Sequence, residues 1–500
     1  MLFNSFNFLF IFFPIVLFCY YQINHFKNKN YKIIFLIISS LVFYAYWNFI
    51  YIFLLISSIV VNFILAKVIV NLNYKKLNLY KKMTFILAII LNVILLCYFK
   101  YYNFFIENIN TVFSLTFNFK NVILPLAISF FTIQQINFIV EIYYGKNHDF
   151  DFLKYILFVS FFPQLIAGPI VTYSHFISQF YNDKKENFYK NFTIGFIFLS
   201  LGLFKKIYIA DSFGIYSNIL YDQSLITDSL NAIDILIGTF CFTFQIYFDF
   251  SAYSDMAIGI AYFFGIKLPD NFNSPFKAEN MINFWSKWHI TLTQFLNKNI
   301  FMFLSFYLQK KFTTHNSYTN QNIILTVFLP IMITFFISGL WHGASWTFVF
   351  WAMLHSLYLI FNYSIIYILK KNKINFHLNI WLKRAIVLFM INLAFIYFRA
   401  ENLQQANFLF VNLFNFKSNL IFDNYITPIL LLIIGLAICW LMPNTKEYAL
   451  HYSNNNLVNN KIKILNFVNN VFYFSLIIFI LLVFSLAKIS KPLEFIYFQF

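Results

Sequence analysis

Apolar runs of about 18 or more residues recur along the whole of this chain, and each is long enough to cross a bilayer as a helix. They fall near 4–21, 33–48, 50–70, 84–99, 121–142, 152–170, 191–210, 230–248, 251–266, 323–340, 345–369, 382–398, 426–442 and 468–487. Inside a bilayer the backbone must satisfy its own hydrogen bonds, which leaves helices or a closed barrel. Barrel strands would be about 10 residues long with strict apolar–polar alternation, and that pattern is absent. The chain therefore reads as an all-α integral membrane protein. Neighbouring runs can join into one helix or fold back, so the expectation is about 10 to 14 transmembrane or re-entrant helices.

The charge pattern agrees. Only 11% of the 500 residues are charged, against about 25% in soluble domains. The net charge of +17 resembles that of a nucleic-acid binder, but its distribution explains it without nucleic acid. Lys27, Lys29 and Lys32 fall in one loop and Lys75, Lys76, Lys81 and Lys82 in another, while the hinge at Trp47, Asn48 and Phe49 between them has no charge. By the positive-inside rule those basic loops are cytoplasmic and the N-terminus is extracytoplasmic. Lys370, Lys371, Lys373, Lys383 and Arg384 mark a later cytoplasmic loop. The first segment, Phe6 to Tyr21, has neither a basic leader nor a small-residue cleavage site and reads as a retained helix. Cys19, Cys97, Cys241 and Cys439 sit apart in apolar runs, as small packing residues with no disulfide or metal spacing. No soluble domain and no transporter-like inverted repeat is visible.

Two features interrupt this apolar pattern. His342 lies between long apolar runs, in Gly339-Leu340-Trp341-His342-Gly343-Ala344-Ser345-Trp346. A charged group at membrane depth costs roughly 2.5–3.5 kcal/mol on insertion scales. Even a neutral imidazole needs hydrogen bonds there, so His342 is expected to face protein or a wet cavity. Neutral imidazole also accepts protons, which makes His342 the first catalytic candidate. The second feature is Pro269 to Leu308, which stays aromatic but turns polar and holds Phe284-Trp285-Ser286-Lys287-Trp288-His289. Such a segment suits an interfacial or re-entrant position beside a chamber shared with His342.

A series of segments from Leu124 to about Ala406 resembles the membrane-bound O-acyltransferase (MBOAT) family, in the family's order. They are Leu124 to Gln134, Phe162 to Ile170, Gly202 to Lys206, Tyr247 to Gly259, Asn271 to Phe276, Phe284 to Leu292, Gly339 to Trp346, and Phe398 to Glu401. The closest branch is that of alginate and peptidoglycan O-acetyltransferases. The resemblance implies a ring of helices around a central tunnel. It makes the chain a single polytopic domain, with N-terminal helices over 1–120, an MBOAT-like core over 121–410 and C-terminal helices over 411–500. His342 matches the family's essential histidine, and His289 a second position held by His or Asn. The chain departs from the family after His289, where Gln294 to Ser305 replaces an Arg-Asp-Tyr stretch and a Pro-Leu-Gly-Gly turn. Ser286 and Lys287 also stand where paired arginines are usual.

Moving acetyl from a thioester to a hydroxyl requires a base, donors for the developing oxyanion, and exclusion of water. His342 is the candidate base, and His289 the candidate that binds the acyl carbonyl or the acceptor. Trp341, Trp346, Trp285 and Trp288 are candidate walls of the chamber. Asp249 and Asp255 lie in an apolar run and must be paired if buried; a structural tie is the plainer reading, an orienting role the sharper one. Lys205 and Lys206 either attract coenzyme A phosphates or set topology, and His355 reads as a packing residue. No third ligand accompanies the two histidines, so no metal is expected. The resemblance implies acetyl-CoA as donor and an extracytoplasmic, esterase-like partner that completes transfer to an envelope polysaccharide. Peptidoglycan is the first acceptor, then alginate or another exopolysaccharide, then D-alanyl transfer to teichoic acid. A transporter without catalysis is the contrasting class.

Overall fold

A computed structural model describes the chain except residues 24–29, 121, 147–149, 182–187, 313–322, 375–376, 417–419, 454–470, 490–494 and 497–500. Lys27 and Lys29 of the first basic loop, and the start of the run at 468–487, lie outside the described residues. Within them the regular structure is helical, with no strand. Seven described helices are long and apolar enough to cross a membrane, or eight if the bent pair Ile426–Leu441 and Thr445–Tyr452 is one span. Asn7–Gln22, Asn30–Ala45 and Phe474–Ala487 are shorter apolar helices, and adding them reaches the expected range. Large apolar side chains such as Phe53, Phe361 and Ile433 are more than half exposed, as lipid-facing positions require.

The helix Ala232–Phe263 organises the molecule. At about 1.5 Å per residue it is long enough to cross a bilayer and project beyond it. It packs against Phe188–Phe204, Asp211–Gln223 and Ile380–Arg399. Its first half, through Phe248, belongs to a core with Trp288, Trp351 and Phe395. Its second half, from Tyr253, belongs to a core built with the N-terminal helices. Gly195 and Gly259 let two of these helices meet backbone to backbone: a Cβ at Gly195 would lie 2.9 Å from the Gly259 carbonyl oxygen, and one at Gly259 2.8 Å from that of Gly195. Small residues at such crossings are the usual device of membrane helices.

Two runs expected apart, 230–248 and 251–266, form this one helix. Tyr247, Asp249, Ser251 and Ser254 look like a loop in a linear reading, but no proline or glycine breaks the helix there, and Asp249, Ser251 and Ser254 are buried. The run at 152–170 is instead divided into Phe152–Ser160 and Phe162–Leu165, because Pro163 cannot continue the first helix. The run at 84–99 extends to Asn78–Phe113 through a π-helical turn at Cys97–Tyr101. The polar segment after Pro269 forms short pieces, Pro275–Lys277, Met281–Trp285 and Ile290–Leu296, tucked into the helical framework.

Candidate active site

His342 is the last residue of the helix Leu329–His342. A carbonyl group at such an end has no partner within its helix. Here Lys100 Nζ donates to the carbonyls of Trp341, at 2.6 Å, and His342, at 2.9 Å. Tyr101 donates its hydroxyl to the Leu340 carbonyl. The next helix, Trp346–Lys371, starts with Ser345 accepting from the Thr347 N–H. The two helices cross closely at Gly339, where a Cβ would stand 2.7 Å from the Phe348 carbonyl oxygen. His342 is thus presented at a rigid corner, 5% exposed, with its ring against Trp341, Trp351 and Phe398 at 4.9, 4.9 and 5.3 Å between centroids.

His289 comes to the same place from the short-helix segment. It precedes Ile290–Leu296 with φ of 41°, a left-handed conformation, which an L-residue adopts at a cost of roughly 1–2 kcal/mol. Strain of this kind gathers at functional sites. Its ring, 1% exposed, packs on Phe250 at 4.8 Å and Trp341 at 6.0 Å. Trp341 therefore lies against both histidines. Beneath His289, Asn271 Oδ1 is 3.1 Å from Nδ1 and accepts from the Thr291 hydroxyl at 2.8 Å. The same hydroxyl accepts the Ile170 N–H at 3.0 Å. Three separated segments of the sequence meet in this network.

The other candidates divide. Trp285 packs on His355, at 5.1 Å, and on Phe335, at 5.1 Å. It lines a cleft of about 340 Å³ whose apolar wall carries Ser286, Thr293, Gln294, Asn297, Thr334 and Ser338. Trp288 is buried among Phe272, Phe284 and Phe395. Trp346 faces outward at 46% exposure, and its indole N–H donates to Asn108 at 2.9 Å. Asp249 pairs with Lys206 at 2.7 Å and accepts the Ile496 N–H. Lys206 also reaches Asp211 at 2.9 Å, and Asp255 pairs with Lys205 and accepts from Thr445. The consecutive lysines and the two carboxylates of the long helix thus hold each other. His355 is fully buried against Trp351. Among the described residues no group of three or more metal-ligating side chains occurs.

Near the start of the short-helix segment, Lys277 donates to the Met442 carbonyl and Lys383 reaches Glu279 at 3.4 Å. The Lys277 and Lys287 ammonium groups are held below the ordinary lysine value, first by burial; Arg384 lowers both further, while Glu447 and Glu279 oppose the shift. This is a cationic patch two residues from His289 in the chain.

Asn271, Thr291, Trp351 and Lys100 were not singled out by sequence. Lys100 did leave a signal, as a lone lysine at the end of an apolar run. Asn271 sat in a recognised segment, but nothing linear ties it to His289.

The structure brings two histidines against one tryptophan in a helical protein with membrane-spanning helices, and comparison with known proteins gives the class. The membrane-bound O-acyltransferase family model matches residues 141–404. A peptidoglycan O-acetyltransferase of Helicobacter pylori is 38% identical over 81% of this chain and 78% of its own length. A probable alginate O-acetylase of Pseudomonas aeruginosa is 30% identical over 83% of this chain and 75% of its own. A teichoic acid D-alanyltransferase of Streptococcus thermophilus is 27% identical over 50% of this chain. The chain belongs to the membrane-bound O-acyltransferase family and is an acyltransferase.

Proposed function

We propose that this protein is an O-acetyltransferase of the bacterial cytoplasmic membrane that takes acetyl from cytoplasmic acetyl-CoA and passes it outward for O-acetylation of an envelope polysaccharide, peptidoglycan in the first place. The similarity to the Helicobacter pylori relative along most of both chains carries this reading. An extracytoplasmic, esterase-like partner completes the transfer, and the N-terminus lies outside. The cationic patch of Lys277, Lys287 and Arg384 suits the phosphates of coenzyme A, because clustered cations attract an anion.

In the reaction the acceptor hydroxyl oxygen bonds to the thioester carbonyl carbon, and the carbon–sulfur bond breaks. The hydroxyl proton passes to His342 and then to the departing thiolate. His289 binds the reacting partners beside Trp341. The dry aromatic surroundings exclude water and strengthen each polar contact.

Base-labile acetate on purified peptidoglycan, compared between cells with and without the gene, tests the acceptor. Acetate should be lost in the deletion strain and restored by the intact gene. Unchanged peptidoglycan acetate with loss from an exopolysaccharide would overturn the first acceptor in favour of the second, which the alginate O-acetylase relative favours.

A further inference from the structure

We propose that Asn271 locks His289 in a single tautomer, with the proton on Nδ1 and the lone pair on Nε2. His289 then receives a hydroxyl hydrogen of the acceptor and does not donate to the acyl carbonyl. The role toward the hydroxyl rests on the acyl-transfer reading above; the tautomer rests on geometry alone.

The two ends of an asparagine amide have the same shape, so the atom facing His289 must be deduced from its partners. The backbone N–H of Thr291 is directed at that atom from 3.3 Å. A backbone N–H can only donate, so the atom is the oxygen. The Thr291 hydroxyl, which already accepts the Ile170 N–H, lies 2.8 Å from the same oxygen and donates to it. The Asn271 nitrogen faces the Ser254 hydroxyl at 3.4 Å. An oxygen cannot donate, so its 3.1 Å contact with His289 Nδ1 requires the proton on Nδ1. A neutral imidazole carries one ring proton, and Nε2 is left as the acceptor. Burial favours the neutral ring.

The framework leaves the ring little freedom to invert. The Asn271 carbonyl accepts the Ile290 N–H at 2.9 Å, which fixes Asn271 beside the strained backbone of His289. Phe250 and Trp341 hold the ring on two sides. A ring that presents a lone pair seeks an O–H, and the acceptor supplies one as its reacting hydroxyl. The carbonyl needs a donor instead. The indole N–H of Trp341, buried and with no hydrogen-bond partner among the described residues, is suited to that task. Asn271 is therefore a positioning residue for this chemistry.

Solid-state NMR of the full protein in lipid bilayers, with ¹⁵N-labelled histidine, reads the tautomer directly. His289→Ala identifies the relevant signals by their disappearance. The expected result is a protonated Nδ1 and a bare Nε2 in the wild type, and mixed tautomers in Asn271→Leu. Acetylation by Asn271→Leu should fall about 10²-fold or more at unchanged membrane level, the lower end of what a positioned acid–base group contributes. Asn271→Asp keeps the acceptor and should recover most of that loss. Its carboxylate favours the imidazolium, so the acid limb of its pH profile should move to higher pH. A packing role alone would lower the amount of folded protein and leave that limb in place. A wild-type His289 protonated on Nε2 overturns the proposal whatever the activity. The expected tautomer together with undiminished acetylation by His289→Ala overturns instead the catalytic reading of the site.

Discussion

Lys100 donates to two carbonyls at the end of the helix that carries His342, across 241 and 242 residues of sequence. An amine donating to carbonyls that have no partner within their helix stabilises that end, each hydrogen bond contributing about 0.5–1.5 kcal/mol. Lys100→Met should therefore lower the unfolding temperature of the detergent-solubilised protein, by the equivalent of about 1–3 kcal/mol. It should also reduce acetylation by more than the loss of folded protein explains, because the corner that aims His342 is loosened. An unchanged unfolding temperature and activity would show that the corner is held by other contacts. The same distance along the chain hid Lys100 from sequence reasoning. His342 was legible because an ionisable group between two apolar runs stands out locally. Asn271 and Thr291 were not, because their part in the site lies in contacts that only the fold creates.

Apolar length made the spanning helices legible, and Pro163 marked a break. The continuous helix Ala232–Phe263 was not legible as one piece. Its polar residues suggested a connection, whereas Asp249 and Asp255 turn inward to Lys206 and Lys205. Those lysines follow directly on the helix Phe188–Phe204, so the ion pairs fasten two packed elements. Lys206 and Asp249 are 2% and 3% exposed in their side chains. Breaking a buried pair from one side costs about 3–5 kcal/mol, since a charge is left behind without its partner. Lys206→Met is accordingly expected to cut the yield of monodisperse, folded protein sharply in fluorescence-detected gel filtration. A full yield would show that Asp249 takes up its proton or finds another partner at little cost.

On the scale of the molecule, two cores share the long helix, and the histidines arrive from separate segments against Trp341. His342 ends a spanning helix; His289 stands on the short-helix segment. The sequence pattern conveyed the membrane class and both histidines, while their enclosure by Trp351, Phe398 and Phe250 needed the tertiary structure. The central claim is that this enclosure performs acyl transfer through His342. It is tested most directly by base-labile polysaccharide acetate in a deletion strain carrying either the wild-type gene or His342→Ala, with membrane levels of both proteins measured by immunoblot. A general base contributes about 10²–10⁴-fold. The variant should reach wild-type membrane levels yet leave acetate at the level of the deletion strain. Wild-type acetate restored by a well-inserted His342→Ala protein would contradict the account and remove His342 from the mechanism.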